Sequence, residues 1–153
     1  MKRKNKNVCE MSFLAVSENE AFARMVAAAF VLPANPTMEE VSDIKTAISE
    51  AVTNAILHGY NQNAEGMVHM RCERDEDNFL FCISDDGVGI ENVVQAMEPL
   101  YTSKPELERS GMGFSFMEAF MDSLEVDSKP GIGTKVTMVK KLGQDTETLS
   151  SEE

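Results

Sequence analysis

The stretch from Thr37 to Gly59 constrains the fold more than any other, because it spells out one long helix with its apolar residues on a single side. Thr37-Met38-Glu39-Glu40 is a capping box: the threonine hydroxyl and the glutamate three residues on each satisfy an orphan N–H of the first turn. Val41, Ile44, Ile48, Ala51, Val52 and Ala55 then recur at the helical period, forming a stripe that other elements must cover. The helix is expected to stop at His58-Gly59, with the histidine against the C-terminal dipole and the glycine as C′ residue.

The covering elements can be read on both sides of it. Cys9 to Val16 alternates as a strand, and Ser17-Glu18-Asn19-Glu20 reads as another capping box, opening a helix through about Phe30. Met67 to Arg74 and Phe79 to Ser84 predict a hairpin around the acidic turn Asp75-Glu76-Asp77-Asn78. Glu91 to Met97 predicts a short helix, and Phe114 to Met121 resumes helical spacing. Ser123 to Asp127 and Thr134 to Lys141 predict a last strand pair around Lys129-Pro130-Gly131-Ile132-Gly133.

Strands at both ends with helices between them imply an α+β fold, a two-layer α/β sandwich. Its sheet is expected to be mixed but mostly antiparallel, with helices on one face. No repeat or linker divides the 153 residues, so one domain over residues 8–142 is expected, with flexible termini at 1–7 and 143–153.

Charge and cysteine usage narrow the partners. A formal net charge of −12 opposes a phosphate backbone, which needs clustered Lys and Arg, and so points away from DNA and RNA. The longest apolar run, Met25 to Leu32, is far shorter than the roughly 20 residues of a membrane helix, and no signal peptide is read at the start. Cys9, Cys72 and Cys82 are odd in number and widely spaced, which fits buried thiols in a reducing cytosol better than a disulfide framework or a zinc site.

Three constellations carry possible chemistry. Glu50 and Asn54 are one helical turn apart on the flank of the apolar stripe, where side chains can face a cleft; taken alone they are also an ordinary helix edge. In Asp85-Asp86-Gly87-Val88-Gly89, placed where an apolar strand stops, the glycines admit a flat ligand and the carboxylate can accept from an exocyclic amino group. The same residues are also a common turn signal. Arg109-Ser110-Gly111-Met112-Gly113 closes a polar loop and opens a helix, so its free N–H groups can hold phosphate, with Arg109 or Lys104 adding charge. A ligand-free glycine hinge is equally compatible. The Walker A pattern is absent.

In this order the three motifs resemble the N, G1 and G2 boxes of the ATP-binding superfamily of gyrases, heat-shock chaperones, histidine kinases and mismatch-repair proteins. More narrowly, SEAVTNAILHGYN from Ser49 to Asn61 and PLYTSKPELERSGMGF from Pro99 to Phe114 closely resemble the anti-sigma-F factors of spore-forming bacteria. The resemblance implies ATP or ADP with Mg²⁺ as ligands, Asn54 as magnesium ligand and Glu50 as general base toward a substrate serine. It implies Asp85 as reader of adenine, assisted by Thr134, with Gly87 and Gly89 admitting the base. Lys104, Arg109, Ser110, Gly111 and Gly113 would cover the phosphates, and Arg24 and Glu108 would contact partners. A homodimer in the cytoplasm is implied too, which holds a sporulation sigma factor inactive and phosphorylates an anti-anti-sigma protein. Two other readings remain: a sister kinase for the general-stress sigma factor, and a nucleotide-gated sigma-binding module without catalysis.

Overall fold

The computed structural model describes residues 5–60, 65–98 and 113–143. Strand β1 (Lys6–Leu14) leads into helix α1 (Glu18–Val31), a 3₁₀ turn (Leu32–Ala34) and helix α2 (Met38–Asn54). The hairpin β2 (Met67–Asp75) and β3 (Asn78–Asp85) follows, then α3 (Val93–Ala96), α4 (Gly113–Phe120), β4 (Ser123–Lys129) and β5 (Gly133–Lys141). The five strands form one sheet in the order β1-β2-β3-β5-β4.

Every pairing in this sheet is antiparallel, which sharpens the expected mixed sheet. The cause lies in the connections. Two helices between β1 and β2 return the chain to the end it left, so β2 runs back along β1. Past α4, β4 does not pair with β3, because β5 inserts between them.

The helices cover one face of the sheet, and a single core joins them to it. Ala23 and Ala27 of α1, Ile44 and Ile48 of α2 and Met117 of α4 pack with Phe13, Met70, Phe81 and Val136 of the strands. Alanines on α1 let it approach α2 closely, and Phe30 meets Phe79 edge to face with centroids 6.1 Å apart. The opposite face carries Ser12, His69 and Arg71, with Arg71 paired to Glu10 and, at 2.6 Å, to Glu73.

The two capping boxes have different fates. At Thr37 it forms in full: the side chain accepts from Glu40 N–H at 3.0 Å and Thr37 N–H donates to the Glu40 carboxylate at 2.8 Å. Ser17 makes no side-chain cap, because the Glu20 carboxylate turns to the Ser49 hydroxyl on α2 and to Arg24 instead. Thr37→Ala is therefore expected to cost about 1 kcal/mol of stability, read as a lower urea midpoint, whereas Ser17→Ala should leave the midpoint nearly unchanged.

β1 starts earlier than the alternation indicates. Lys6 and Asn7, assigned above to a flexible terminus, pair with Asp75 and Arg74, and the Lys6 ammonium lies 3.9 Å from the Asp75 carboxylate. The short helix after the glycine turn is trimmed to Val93–Ala96 because Asn92 caps it, accepting from Gln95 N–H at 3.0 Å. Among the described residues no helix is long and apolar enough to cross a membrane.

Candidate functional site

The site begins where α2 loses its regular spacing. From Ala55 to Gly59 the helix widens into a π-turn, closed by Tyr60 N–H to the Ala55 carbonyl at 3.0 Å, a device that often marks functional positions. Gly59 does not adopt the left-handed C′ conformation; among the described residues the positive-φ glycines are Gly89, Gly131, Gly133 and Gly143. Its lack of a side chain answers a different need. A Cβ on Gly59 would come within 2.8 Å of the Asp85 carboxylate, and one on Gly87 would lie 1.9 Å from the Gly59 carbonyl oxygen. The end of α2 and the turn after β3 are therefore pressed together with glycine on both sides.

Asp85 stands at the last position of β3 and is only 7% exposed, the one buried charged residue among those described. Burial pushes its pKa above the ordinary aspartate value. The N–H groups of Gly87, at 2.9 Å, and of Thr134 donate to the carboxylate and pull the other way, while the neighbouring Asp86 charge adds to the rise. The result is a desolvated acceptor with spare lone pairs beside a wall of glycine, well suited to an amino group on a planar ring.

Two backbone segments hold this acceptor in place. Gly89 (φ +76°) and Gly133 (φ +141°) adopt conformations that side chains rarely take, and a Cβ on Gly133 would lie 2.1 Å from the Asp85 carbonyl. Ser128 ties the segments together: its Oγ accepts from Ile90 N–H at 2.7 Å, meets Thr134 Oγ1 at 2.8 Å and donates to the Gly133 carbonyl at 3.1 Å. Thr134, opposite Asp85 in the ladder, thus reaches the site through its N–H while its hydroxyl engages Ser128.

Sequence reasoning missed Ser128, Gly59 as a packing residue, and Tyr60. The Tyr60 hydroxyl accepts from Asp86 N–H at 2.7 Å and donates to the Met67 carbonyl at 2.5 Å. Gly66 makes room for its ring, since a Cβ there would lie 2.6 Å from it. On the far side of Asp86, His69 Nε2 lies 3.5 Å from the carboxylate, and its Nδ1 is 2.7 Å from Ser12 Oγ. The adjacency of Tyr60 to the helix end was the available signal, but its bonding partner is 26 residues away. Tyr60→Phe removes the hydroxyl's bonds to Asp86 N–H and the Met67 carbonyl and is expected to lower stability by about 1 kcal/mol, with nucleotide affinity falling several-fold as Asp85 loosens. Calorimetric titration with ADP checks the second effect.

Glu50 and Asn54 are both half-buried on α2, and the first residue of α4 sits directly against them. A Cβ on the buried Gly113 would be 3.2 Å from Asn54 Nδ2 and from Glu50 Oε2. The structure thereby brings the last glycine of the third motif onto the carboxylate and amide of the first. Of the other predicted residues there, Lys104, Glu108, Arg109, Ser110 and Gly111 lie outside the described residues.

Arg24 belongs to a different place. It lies 3.7 Å from Glu20 on α1 and lines a groove of about 550 Å³ between α1 and α2, together with Leu32, Pro36, Met38, Val41 and Lys45. Its Nε is buried without a hydrogen-bond partner.

Comparisons with known proteins agree with this geometry. The family described as "Histidine kinase-like ATPase domain" matches residues 14–140. The chain is 57% identical over 136 residues to the anti-sigma F factor of Clostridium beijerinckii, spanning 89% of this chain and 95% of that protein. It is 52% identical over 139 residues to the anti-sigma F factor of Oceanobacillus iheyensis, spanning 91% and 95%. The fold is similar to that of the RsbU and RsbW domains of a Mycobacterium tuberculosis protein, with TM-score 0.64, 19% identity, and coverage of 89% of this chain and 32% of that one. It is also similar to a blue-light activated histidine kinase of Erythrobacter litoralis, with TM-score 0.58, 22% identity, and coverage of 84% and 43%.

Proposed function

Since the chain belongs to the anti-sigma F factors of the histidine kinase-like ATPase family, we propose that it holds a sigma-F-type sporulation factor inactive and phosphorylates a serine of that factor's anti-anti-sigma antagonist with ATP. The observation that carries the kinase half is the closeness of Gly113 to both Glu50 and Asn54. Gly113, the last residue of the phosphate-covering motif, thus lies against a carboxylate and an amide on one face of α2.

Each residue then has a role. Asp85 accepts from the adenine amino group, Thr134 supports it, and Gly87 and Gly89 leave room for the base. Lys104, Arg109, Ser110, Gly111 and Gly113 surround the phosphates with N–H groups and positive charge. Among the described residues no three His, Cys, Asp or Glu side chains cluster as a metal cage. Mg²⁺ would be held through the amide oxygen of Asn54, a hard donor suited to a hard cation. Bound there, Mg²⁺ would neutralise charge on the phosphates. Glu50 withdraws the proton of the substrate serine as its oxygen bonds to the γ-phosphorus and the bond to ADP breaks.

The anti-sigma half rests on the relatives and on Arg24 and Glu108 as partner contacts. The groove beside Arg24 offers a docking protein the apolar side chains of Leu32, Pro36, Met38 and Val41 beside the charges of Arg24 and Lys45. A cytoplasmic homodimer completes the reading. The test is to incubate the protein with labelled ATP and a purified anti-anti-sigma protein, and separately to capture it on sigma-F-type and general-stress sigma factors. Label on the antagonist's serine and preferential capture by the sigma-F type are expected. Preference for the stress factor would replace the partner assignment. Capture that depends on nucleotide, with no label transferred, would leave a gated binding module.

A further inference from the structure

Cys9 and Cys72 stand directly opposite one another on β1 and β2, and both are free thiols. Both face the helix layer, with Cys72 fully buried in the core and Cys9 half-buried against it. The ladder's phase is fixed at its two ends, by Ala15 N–H to the Gly66 carbonyl and by Glu76 N–H to the Asn5 carbonyl. Stepping in twos from either end makes Cys9–Cys72 a hydrogen-bonded pair. The Cα atoms of such a pair are about 5.5 Å apart, inside the span of disulfides. The Cβ atoms, about 5.5 Å apart in this type of pair, must draw about 1 Å closer for the sulfurs to bond, which makes the bond easily reduced. β1 is the edge of the sheet, which leaves Cys9 open to a small reagent. Cys82 points to the opposite face, across from Arg71 and Thr137, and meets the Thr137 hydroxyl at 3.9 Å.

We propose that Cys9 and Cys72 are a modification site, forming a reversible disulfide that staples the edge strand to the sheet when a low-molecular-weight disulfide acts as oxidant. Cys9 attacks that disulfide, one sulfur leaving as a thiolate and the other remaining on Cys9. Cys72 then loses its proton and attacks Cys9 Sγ, expelling the second thiolate. Two protein thiols become one disulfide, and the reagent is reduced to two thiols. Burial pushes the Cys72 thiol up to about 12, with a contribution from neighbouring Cys9, so Cys9 starts the reaction and closure quickens as pH rises. The closed loop contains α1 and α2, and with them Glu50 and Asn54. Closing it restricts the unfolded chain and stabilises the fold.

The test uses the full chain in a series of glutathione and glutathione disulfide ratios, read by intact mass, peptide mapping and thermal melting. The expected product has lost two hydrogens, maps as Cys9 joined to Cys72, melts several degrees higher and reverts with dithiothreitol. Cys82→Ser should behave like the parent, and Cys9→Ser should show neither the mass change nor the higher melting temperature. Cys9→Ser is preferred to Cys72→Ser because its site is half-exposed, so the variant keeps the core. A persistent glutathione adduct on Cys9, a Cys9–Cys9 bond between chains, or three thiols unchanged under oxidising ratios would each overturn the proposal.

Discussion

A Glu50→Gln protein should bind ADP within a few-fold of the parent yet transfer phosphate to its serine substrate about 10²–10⁴ times more slowly, the usual contribution of a general base. The substitution keeps the size of the side chain beside Gly113, where a Cβ would come within 3.2 Å of Glu50 Oε2, and removes only the capacity to take a proton. Single-turnover transfer of labelled phosphate measures the chemical step, and calorimetry measures binding. A variant that transfers at the parent's rate would sink the assignment of Glu50. One that also fails to bind nucleotide would place Glu50 in the binding site and not in the proton transfer.

The second large effect concerns Asp85, where function and stability are expected to move in opposite directions. Asp85→Asn replaces a desolvated carboxylate by a neutral amide, and about 1.5–3 kcal/mol of charge-assisted hydrogen bonding to the adenine amino group is weakened, a loss of about 10- to 100-fold in ATP affinity. The fold itself should gain. The folded-state pKa of Asp85 is raised, so the folded chain holds its proton more tightly than the unfolded chain. Stability is therefore greatest below the unfolded value, declines as pH rises through the folded value, and stays lower at neutral pH. Denaturant midpoints across acid to neutral pH should show that decline in the parent and lose it in the variant. Parent affinity for ATP should weaken on acidification at a higher pH than an ordinary aspartate would give. A variant less stable than the parent at neutral pH would contradict the account of a buried, costly charge.

These effects trace to motifs of unequal visibility in the sequence. The α2 helix was legible from Thr37 to Asn54 because its capping box and apolar stripe are local, repeating signals. The hairpin at Asp75 to Asn78 and the last strand pair were legible for the same reason. The Ser17 box failed because Glu20 found a partner on another helix, a competition that no local pattern expresses. Gly59 was read as a helix terminator, whereas its bareness serves the carboxylate of Asp85 in a distant strand.

By itself, the sequence determined the elements and the two-layer plan, since periodicity, caps and short spacings act within a few residues, and it offered Glu50, Asn54, Asp85 and Gly113 as candidates through the order of their motifs. Tertiary structure alone decided how those residues meet. It set Gly113 on Glu50 and Asn54, and pressed Gly87 against Gly59. It joined Ser128 to Ile90 and Tyr60 to Asp86, and faced Cys9 with Cys72. Each of these contacts depends on strand order and register, which pairing across the whole sheet fixes and no local stretch can encode.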